Sequence, residues 1–520
     1  MGTEVQKHIL LLPVHMWGHA RAMALLAGRM VRMRPVVVTL CIADKLWDRT
    51  MAEIKSDFSP EEADYLGHIH MLRLWQGDDH VDPAGIRDHF LEIWSNLCAG
   101  MSASYQAVDG STGLVDLKAA PLHAVQGVAL EVTEVLHKQR TDPRRPLNLH
   151  LYLWVPVFTD LLVTLFRTNP VPIVKAFQDQ QNISWEDACF AVFSTKHGHV
   201  IESPWLPPMY DYGFEPQGFT FPKEFLSRIV VRTVDSLHWA DGLITLDALD
   251  YHPEGSRAFK EYMSELGREC HYAGPLISAS HSVPPETDAQ GAAESMAFME
   301  RQLRECGERS VVYVSFGSLL WPQDPKKLAT ALDFLIEQQI PFIMPRPSPV
   351  AKLSEDVLQR LTNNSAVYLG DWLPQQALLD HLAMGWCITH GGHNTVLECI
   401  HAGTPMIFWP ITVDQVLNAV HLTYNVNMAY ELIEVRTGVG AGPIYRTGKA
   451  PVGTLDAVRD ELREVLARAI GEDGERKRQQ MLGLRRTLAA AWTEDGAARR
   501  EVGHFLDHVL ALPTSSLFPI

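Results

Sequence analysis

Residues Ile388–Pro405 read ITHGGHNTVLECIHAGTP. An apolar run ends at Thr389, two histidines flank a glycine pair, and an amphipathic helical pattern follows through Val396, Leu397 and Ile400. Three readings compete for this turn. His381, His390, His393 and His401 could ligate zinc, but no HExxH motif and no cysteine at ligand spacing accompany them. They could be ordinary loop histidines. The third reading is a phosphate cradle: Gly391 and Gly392 permit close backbone approach, Asn394 or Thr395 caps the helix, and the helix N-terminus offers free N–H groups to an anion. This third reading accounts for the glycines, the polar residues and the helix together.

The surroundings set the fold class. Near the N-terminus, HILLLPV is followed by the helical pattern ARAMALLAGRMVRM and then by PVVVTLCIA, a βαβ opening that implies a parallel sheet. A polar stretch, residues 271–295, reads as an exposed linker. A second series follows it: VVYVSFGS (Val311–Ser318), then strand-like runs at 341–345, 366–370, 386–390 and 405–409 separated by helical stretches. The expected architecture is α/β, with two doubly wound parallel-sheet domains, one per half. Near the end, Val502, Phe505, Leu506, Val509 and Leu510 fall at helical spacing and predict an amphipathic helix seeking an apolar surface.

Trp372–Gln415 (WLPQQALLDHLAMGWCITHGGHNTVLECIHAGTPMIFWPITVDQ) resembles the nucleotide-sugar signature of the UDP-dependent glycosyltransferases of the plant and fungal small-molecule type. The match runs without a gap through W-x-P-Q, His381, T-H-x-G-x-N-[ST], Glu398, G-x-P and P-x-x-x-D-Q. Fainter likeness lies in LPVHMWGHARAM near the start and in VSFGS. The resemblance implies the GT-B fold, two Rossmann-like domains facing across a cleft. On that pattern residues 1–280 form the acceptor-binding domain, 281–490 the UDP-sugar-binding domain, and 491–520 a C-terminal segment whose helix packs back on the first domain.

The same resemblance assigns roles. Trp372 stacks on uracil and Gln375 reads the uracil edge. Glu398 accepts the ribose hydroxyls. His390, Gly392, Asn394, Thr395 and Ser318 contact the diphosphate, and Asp414 with Gln415 holds the sugar. Gln at that last position goes with glucose more often than galactose, although Asp414 is also placed to cap the helix that follows it. His393 stands where plant members usually carry Trp. The catalytic base is the histidine of the Gly–His pair in HMWGH, His19; a neutral imidazole there takes the acceptor hydroxyl proton as the oxygen attacks the anomeric carbon, with inversion. His15 reads as a cleft-wall residue. The Asp that orients the base in the family has no clear counterpart: Gly127 falls at the aligned position and Asp116 is the nearest carboxylate. Trp75, Trp94, Trp154, Trp185, Trp205 and Tyr210 would supply apolar walls to an acceptor site or pack in the core.

Composition excludes other classes. The 520-residue chain carries a net charge of −17 with no basic run, which argues against nucleic acid. Seven scattered cysteines without CxxC fit a reducing, cytoplasmic setting better than a disulfide framework. His8–Val14 is too short for a signal peptide, and no run of about 18 apolar residues suggests a membrane span. The sequons at Asn182 and Asn363 then read as chance matches. The expected function is an inverting UDP-sugar transferase, with UDP-glucose as donor and a small lipophilic hydroxyl or carboxyl acceptor. It would be monomeric, with neither metal nor cofactor. One alternative, prompted by the missing Asp, is a catalytically weak or silent nucleotide-sugar-binding protein of the same fold. Another, a dinucleotide enzyme, rests on GVGAG at 438–442, which lacks the GxGxxG spacing.

Overall fold

The computed structural model describes residues 7–14, 16–75, 84–115, 122–126, 130–144, 147, 149–167, 169–203, 205–278, 289–346 and 351–511. His15, Asp116 and Gly127 lie outside the described residues. In chain order the strands are β1 (Lys7–Leu12), β2 (Val36–Ala43), β3 (Ile69–Leu74), β4 (Ala103–Ala107), β5 (Thr112–Val115), β6 (Leu122–Gln126), β7 (His150–Val155), β8 (Val200–Ile201), β9 (Met209–Tyr210), β10 (Gly242–Thr245), β11 (Glu269–Tyr272), β12 (Val311–Ser315), β13 (Phe342–Pro345), β14 (Val367–Gly370), β15 (Met384–Thr389), β16 (Met406–Phe408) and β17 (Tyr430–Glu431).

All but β8 and β9, which pair antiparallel with each other, form two large sheets. The first has the order β11-β10-β7-β6-β1-β2-β3-β4-β5 and is parallel from β11 to β3, with β4 and β5 adding an antiparallel edge. The second, β14-β13-β12-β15-β16-β17, is parallel throughout. All six residues of β1 and of β15 are buried, as expected of strands covered on both faces by helices. In each sheet the order reverses beside its first strand: at β1/β6 and at β12/β15. In open α/β sheets, ligand crevices form at the carboxyl ends of strands at such switch points.

The two sheets turn carboxyl ends toward a common interface. The segments leaving β1, β7 and β10 reach those leaving β15 and β16. Gly18, after β1, lies against Asn394; Phe158, after β7, stacks on His393 with ring centres 5.6 Å apart; Asp247, after β10, pairs with His393 at 2.9 Å.

The stretch expected to be an exposed linker is not one at its start. His271 and Tyr272 end β11, and residues 273–278 are buried. Their carbonyls are claimed from several sides: Pro275 O accepts from Trp492 Nε1 at 2.9 Å and Ser278 O from Gln376 Nε2 at 3.1 Å. Composition read this segment as polar; tertiary contacts gave its backbone partners that water would otherwise supply. At the far end, Ala289 opens a helix to Cys306. The final helix, Ala497–Ala511, buries Val502, Phe505, Leu506 and Val509 completely. Phe505 meets Tyr152 of β7 edge-on at 4.9 Å, and Arg34 pairs with Asp507 at 2.6 Å.

Candidate active site

The glycine-histidine turn sits at the second switch point. β15 ends at Thr389, and the helix His393–Ala402 begins after a single N-cap residue, Gly392. This corrects the expected cap: Asn394 and Thr395 are the second and third residues of the helix, and no side chain caps it. With the cap position filled by glycine, the first turn has no side-chain cap acceptor, the geometry that favours an anion.

His390 fits between two glycines. A Cβ built on Gly317 would stand 2.7 Å from His390 Nε2, and one on Gly392 2.6 Å from it. Gly317 also has φ +72 and Gly391 φ +90, where L side chains are strained. Burial pushes the His390 imidazole down to about 4, so it meets an anion as a neutral donor and not as a cation. Ser318, one residue beyond Gly317, is exposed at the tip of the turn after β12.

Glu398 lies one turn further along the helix and is buried. Its Oε2 accepts from Gln375 Nε2, while Gln375 Oε1 accepts from Tyr313 Oη at 3.0 Å. Its Oε1 accepts from Nη1 of Arg21, in the helix Trp17–Met33 of the other half. Trp372 is half-buried; the Arg49 guanidinium lies 4.7 Å from its ring centre and 4.9 Å from that of Trp17. Arg21 and Arg49 were missed in the sequence, since arginine on a helix is ordinary; the only signal was Arg21's place two residues beyond His19.

Asp414 and Gln415 are buried at the start of the helix Asp414–Val420. The capping alternative fails: the N-cap is Val413, and no side-chain cap bond forms. Gln415 Oε1 accepts from the backbone amides of Ile411 and Thr412 at 3.0 and 3.2 Å, so its amide oxygen is committed to its own turn. Asp414 accepts from Phe158 N at 3.4 Å, and burial pushes its carboxyl up to about 6. Val413 carries φ 57, an outlier for a β-branched residue, immediately before this pair.

His19 is the third residue of its helix, partly buried. Its neighbour Gly18 lies close against the other half: a Cβ there would be 3.3 Å from Asn394 Nδ2. The Gly18–His19 turn and the glycine-histidine turn therefore meet. His393 and His390 do not converge on a common point, since His393 Nε2 is engaged by Asp247 and its Nδ1 by Asn418 at 3.3 Å. Among the described residues, no group of three or more His, Cys, Asp or Glu side chains is arranged to hold a metal ion. His381 closes its own turn, accepting from Ala383 N at 3.1 Å. Of the aromatic candidates, Trp94 and Trp154 are core residues, whereas Trp75 and Trp205 are exposed.

Two parallel-sheet halves meeting at their carboxyl ends, with a glycine-histidine turn on one and a histidine on the other, have the architecture of the GT-B fold. Comparison with known proteins agrees. The family model for UDP-glucoronosyl and UDP-glucosyl transferase matches residues 276–435. A UDP-glycosyltransferase of Hericium erinaceus, eriJ, is 28% identical over 526 aligned residues, covering 96% of this chain and 98% of that protein. Among solved structures, a UGT transferase of Siraitia grosvenorii in complex with UDP superposes with a TM-score of 0.67 at 15% identity, covering 97% of this chain and 100% of that one. Medicago truncatula UGT71G1 complexed with UDP-glucose gives 0.64 at 15%, covering 97% and 98%. The chain is thus similar to UDP-glycosyltransferases along nearly its whole length and has the GT-B fold. Among the described residues no helix is long and apolar enough to cross a membrane.

Proposed function

We propose that the protein transfers glucose from UDP-glucose to a hydroxyl or carboxyl of a small lipophilic acceptor, with inversion at the anomeric carbon. Residues 1–280 bind the acceptor, 281–490 bind the donor, and the segment from 491 ties the two together. Uracil packs on Trp372 beside Gln375, the ribose diol meets Glu398, and the diphosphate lies on the amides of Gly392, Asn394 and Thr395 with His390 and Ser318. The sugar faces Asp414 and Gln415 Nε2. His19 takes the acceptor proton as the oxygen forms its bond to C1; the C1–O bond to UDP breaks and its electron pair leaves with the diphosphate. Backbone dipoles and the His390 N–H, fixed before reaction, stabilise that growing charge.

The observation that carries this reading is the contact of Gly18 with Asn394, which sets the His19 turn directly against the phosphate turn. The seven cysteines, none in a disulfide, suit a cytoplasmic setting. Donor competition among UDP-glucose, UDP-galactose, UDP-xylose and UDP-N-acetylglucosamine, against a panel of phenols, tests the assignment. A β-linked glucoside and retention of activity in excess EDTA are expected. Preference for another sugar would overturn the donor, an α-linked product the single displacement, and loss of activity in EDTA the metal-free cradle.

A further inference from the structure

The helix Trp17–Met33 carries two polar side chains on its first turns that serve different places. His19 and Arg21 are two residues apart, about 200° around a helix at 3.6 residues per turn, so they cannot share a face. Arg21 crosses into the donor half. Its side chain is 14% exposed and each of its nitrogens has a partner: Nε donates to Glu53 Oε1 at 2.8 Å, Nη2 to Gln376 Oε1 at 2.8 Å, and Nη1 to Glu398. Burial opposes the charge, but Glu53 and Glu398 outweigh it and hold the guanidinium above its ordinary value. Glu53 belongs to the same half as Arg21 and already supplies one counter-charge. Glu398 is therefore a second carboxylate on a cation that does not need it for neutrality.

The hydrogen-bond inventory of Glu398 points to a role. An ionised carboxylate has about four lone-pair sites. Arg21 takes one on Oε1 and Gln375 one on Oε2. One site per oxygen is left over, which is the pattern a vicinal diol fills with its two O–H donors. We propose that Arg21, a residue of the acceptor half, is a positioning residue of the donor site: it fixes the Glu398 carboxylate in the orientation that receives the two ribose hydroxyls. The inference rests on the assignment of the donor site to UDP. It makes that site a composite of both halves. A planar fork bonded at all three nitrogens sets direction as well as charge.

Titration calorimetry of the full chain with UDP and with 2′,3′-dideoxy-UDP separates this role from a simple bridge between halves. The wild type is expected to favour UDP roughly ten- to a hundredfold, the worth of hydrogen bonds to a charged acceptor. Arg21→Gln should reduce that preference to within about threefold while leaving affinity for the dideoxy analogue nearly unchanged. KM for the UDP-sugar should rise with kcat held within a small factor. Arg21→Lys, which keeps the charge and loses the fork, should fall between the two and covers the case in which Arg21→Gln does not fold. Glu398→Gln should lose the preference, and adding Arg21→Gln to it should cost nothing more. Unaltered diol preference in Arg21→Gln, or in Arg21→Lys if only that variant folds, would overturn the proposal and leave a structural ion pair. Tighter UDP binding by either variant would overturn it too, showing that Arg21 competes with the ribose. Failure of the wild type to bind UDP is a different result, and removes the donor-site reading itself.

Discussion

Single residues decide the shape of the glycine-histidine turn. His390 is held in place by the absence of two side chains, those of Gly317 and Gly392. Gly392→Ala leaves an allowed backbone, since φ there is −60, yet its methyl would collide with the imidazole. The expected outcome is a loss of UDP affinity in calorimetry with little change in thermal midpoint; unchanged affinity would mean that His390 does not meet the diphosphate. His19→Ala should lower turnover about 10²–10⁴-fold and keep UDP affinity, because on the proposed reading neither the residues that touch UDP nor Arg21, which positions one of them, include His19. A proportional loss of UDP binding would show that His19 is part of the donor site and not the base. Trp372→Ala should weaken UDP binding by about 1–3 kcal/mol if the indole stacks on the base. At this scale the sequence singled out His19, His390 and Glu398 by residue type and motif spacing, and the structure sets their turns and helices at one interface. The sequence was silent on Arg21 and Arg49, whose partners are hundreds of residues away in sequence.

At the scale of elements, period and punctuation carried most of the information. β12, β13, β14, β15 and β16 each lie within a residue or a few of the apolar runs that predicted them, because buried parallel strands must be continuously apolar. The caps were misread. Asn394 and Thr395 looked like N-cap residues by type, but the cap falls two residues before Asn394, at Gly392, where the tight fit to His390 admits no side chain. Asp414 likewise enters its helix and leaves the cap position to Val413. The last helix offers a direct test of what it contributes. Phe505 is fully buried against Tyr152 and His271. Phe505→Ala should destabilise the fold by about 3–5 kcal/mol in denaturant unfolding. A cost below about 1 kcal/mol would mean that this helix is only loosely docked.

Across the whole molecule, the two halves are joined by a buried polar cluster as well as by apolar packing. His393 of the second half pairs with Asp247 of the first and stacks on Phe158, with Tyr251 bonded to Asn418 at 2.9 Å beside it. Burial alone would depress His393, but Asp247 and then Asp414 outweigh it and raise its pKa above the ordinary 6.5. A histidine raised in the folded state contributes stability that is fully present below about pH 6.5 and is lost as pH rises through the folded value. The unfolding midpoint of the wild type should therefore decline on the alkaline side, and that decline should be shallower in His393→Gln. Parallel alkaline profiles for the two proteins would show that the pair is not ionised in the fold.

By itself the sequence determined the class of fold, the two series of strands and the glycine-histidine turn, and it carried the resemblance to UDP-glycosyltransferases. Each of these is written locally, in hydrophobic period, in glycine placement and in motif spacing within a few turns of chain. Tertiary structure alone decided which side chains from one half complete the other. Arg21 on Glu398, Arg49 over Trp372, Asp247 on His393 and the burial of residues 273–278 all depend on two sheets docking by their carboxyl ends. No local pattern encodes such pairs, because a hydrogen bond or ion pair depends on distance and direction in space, and those exist only once both halves have folded and met.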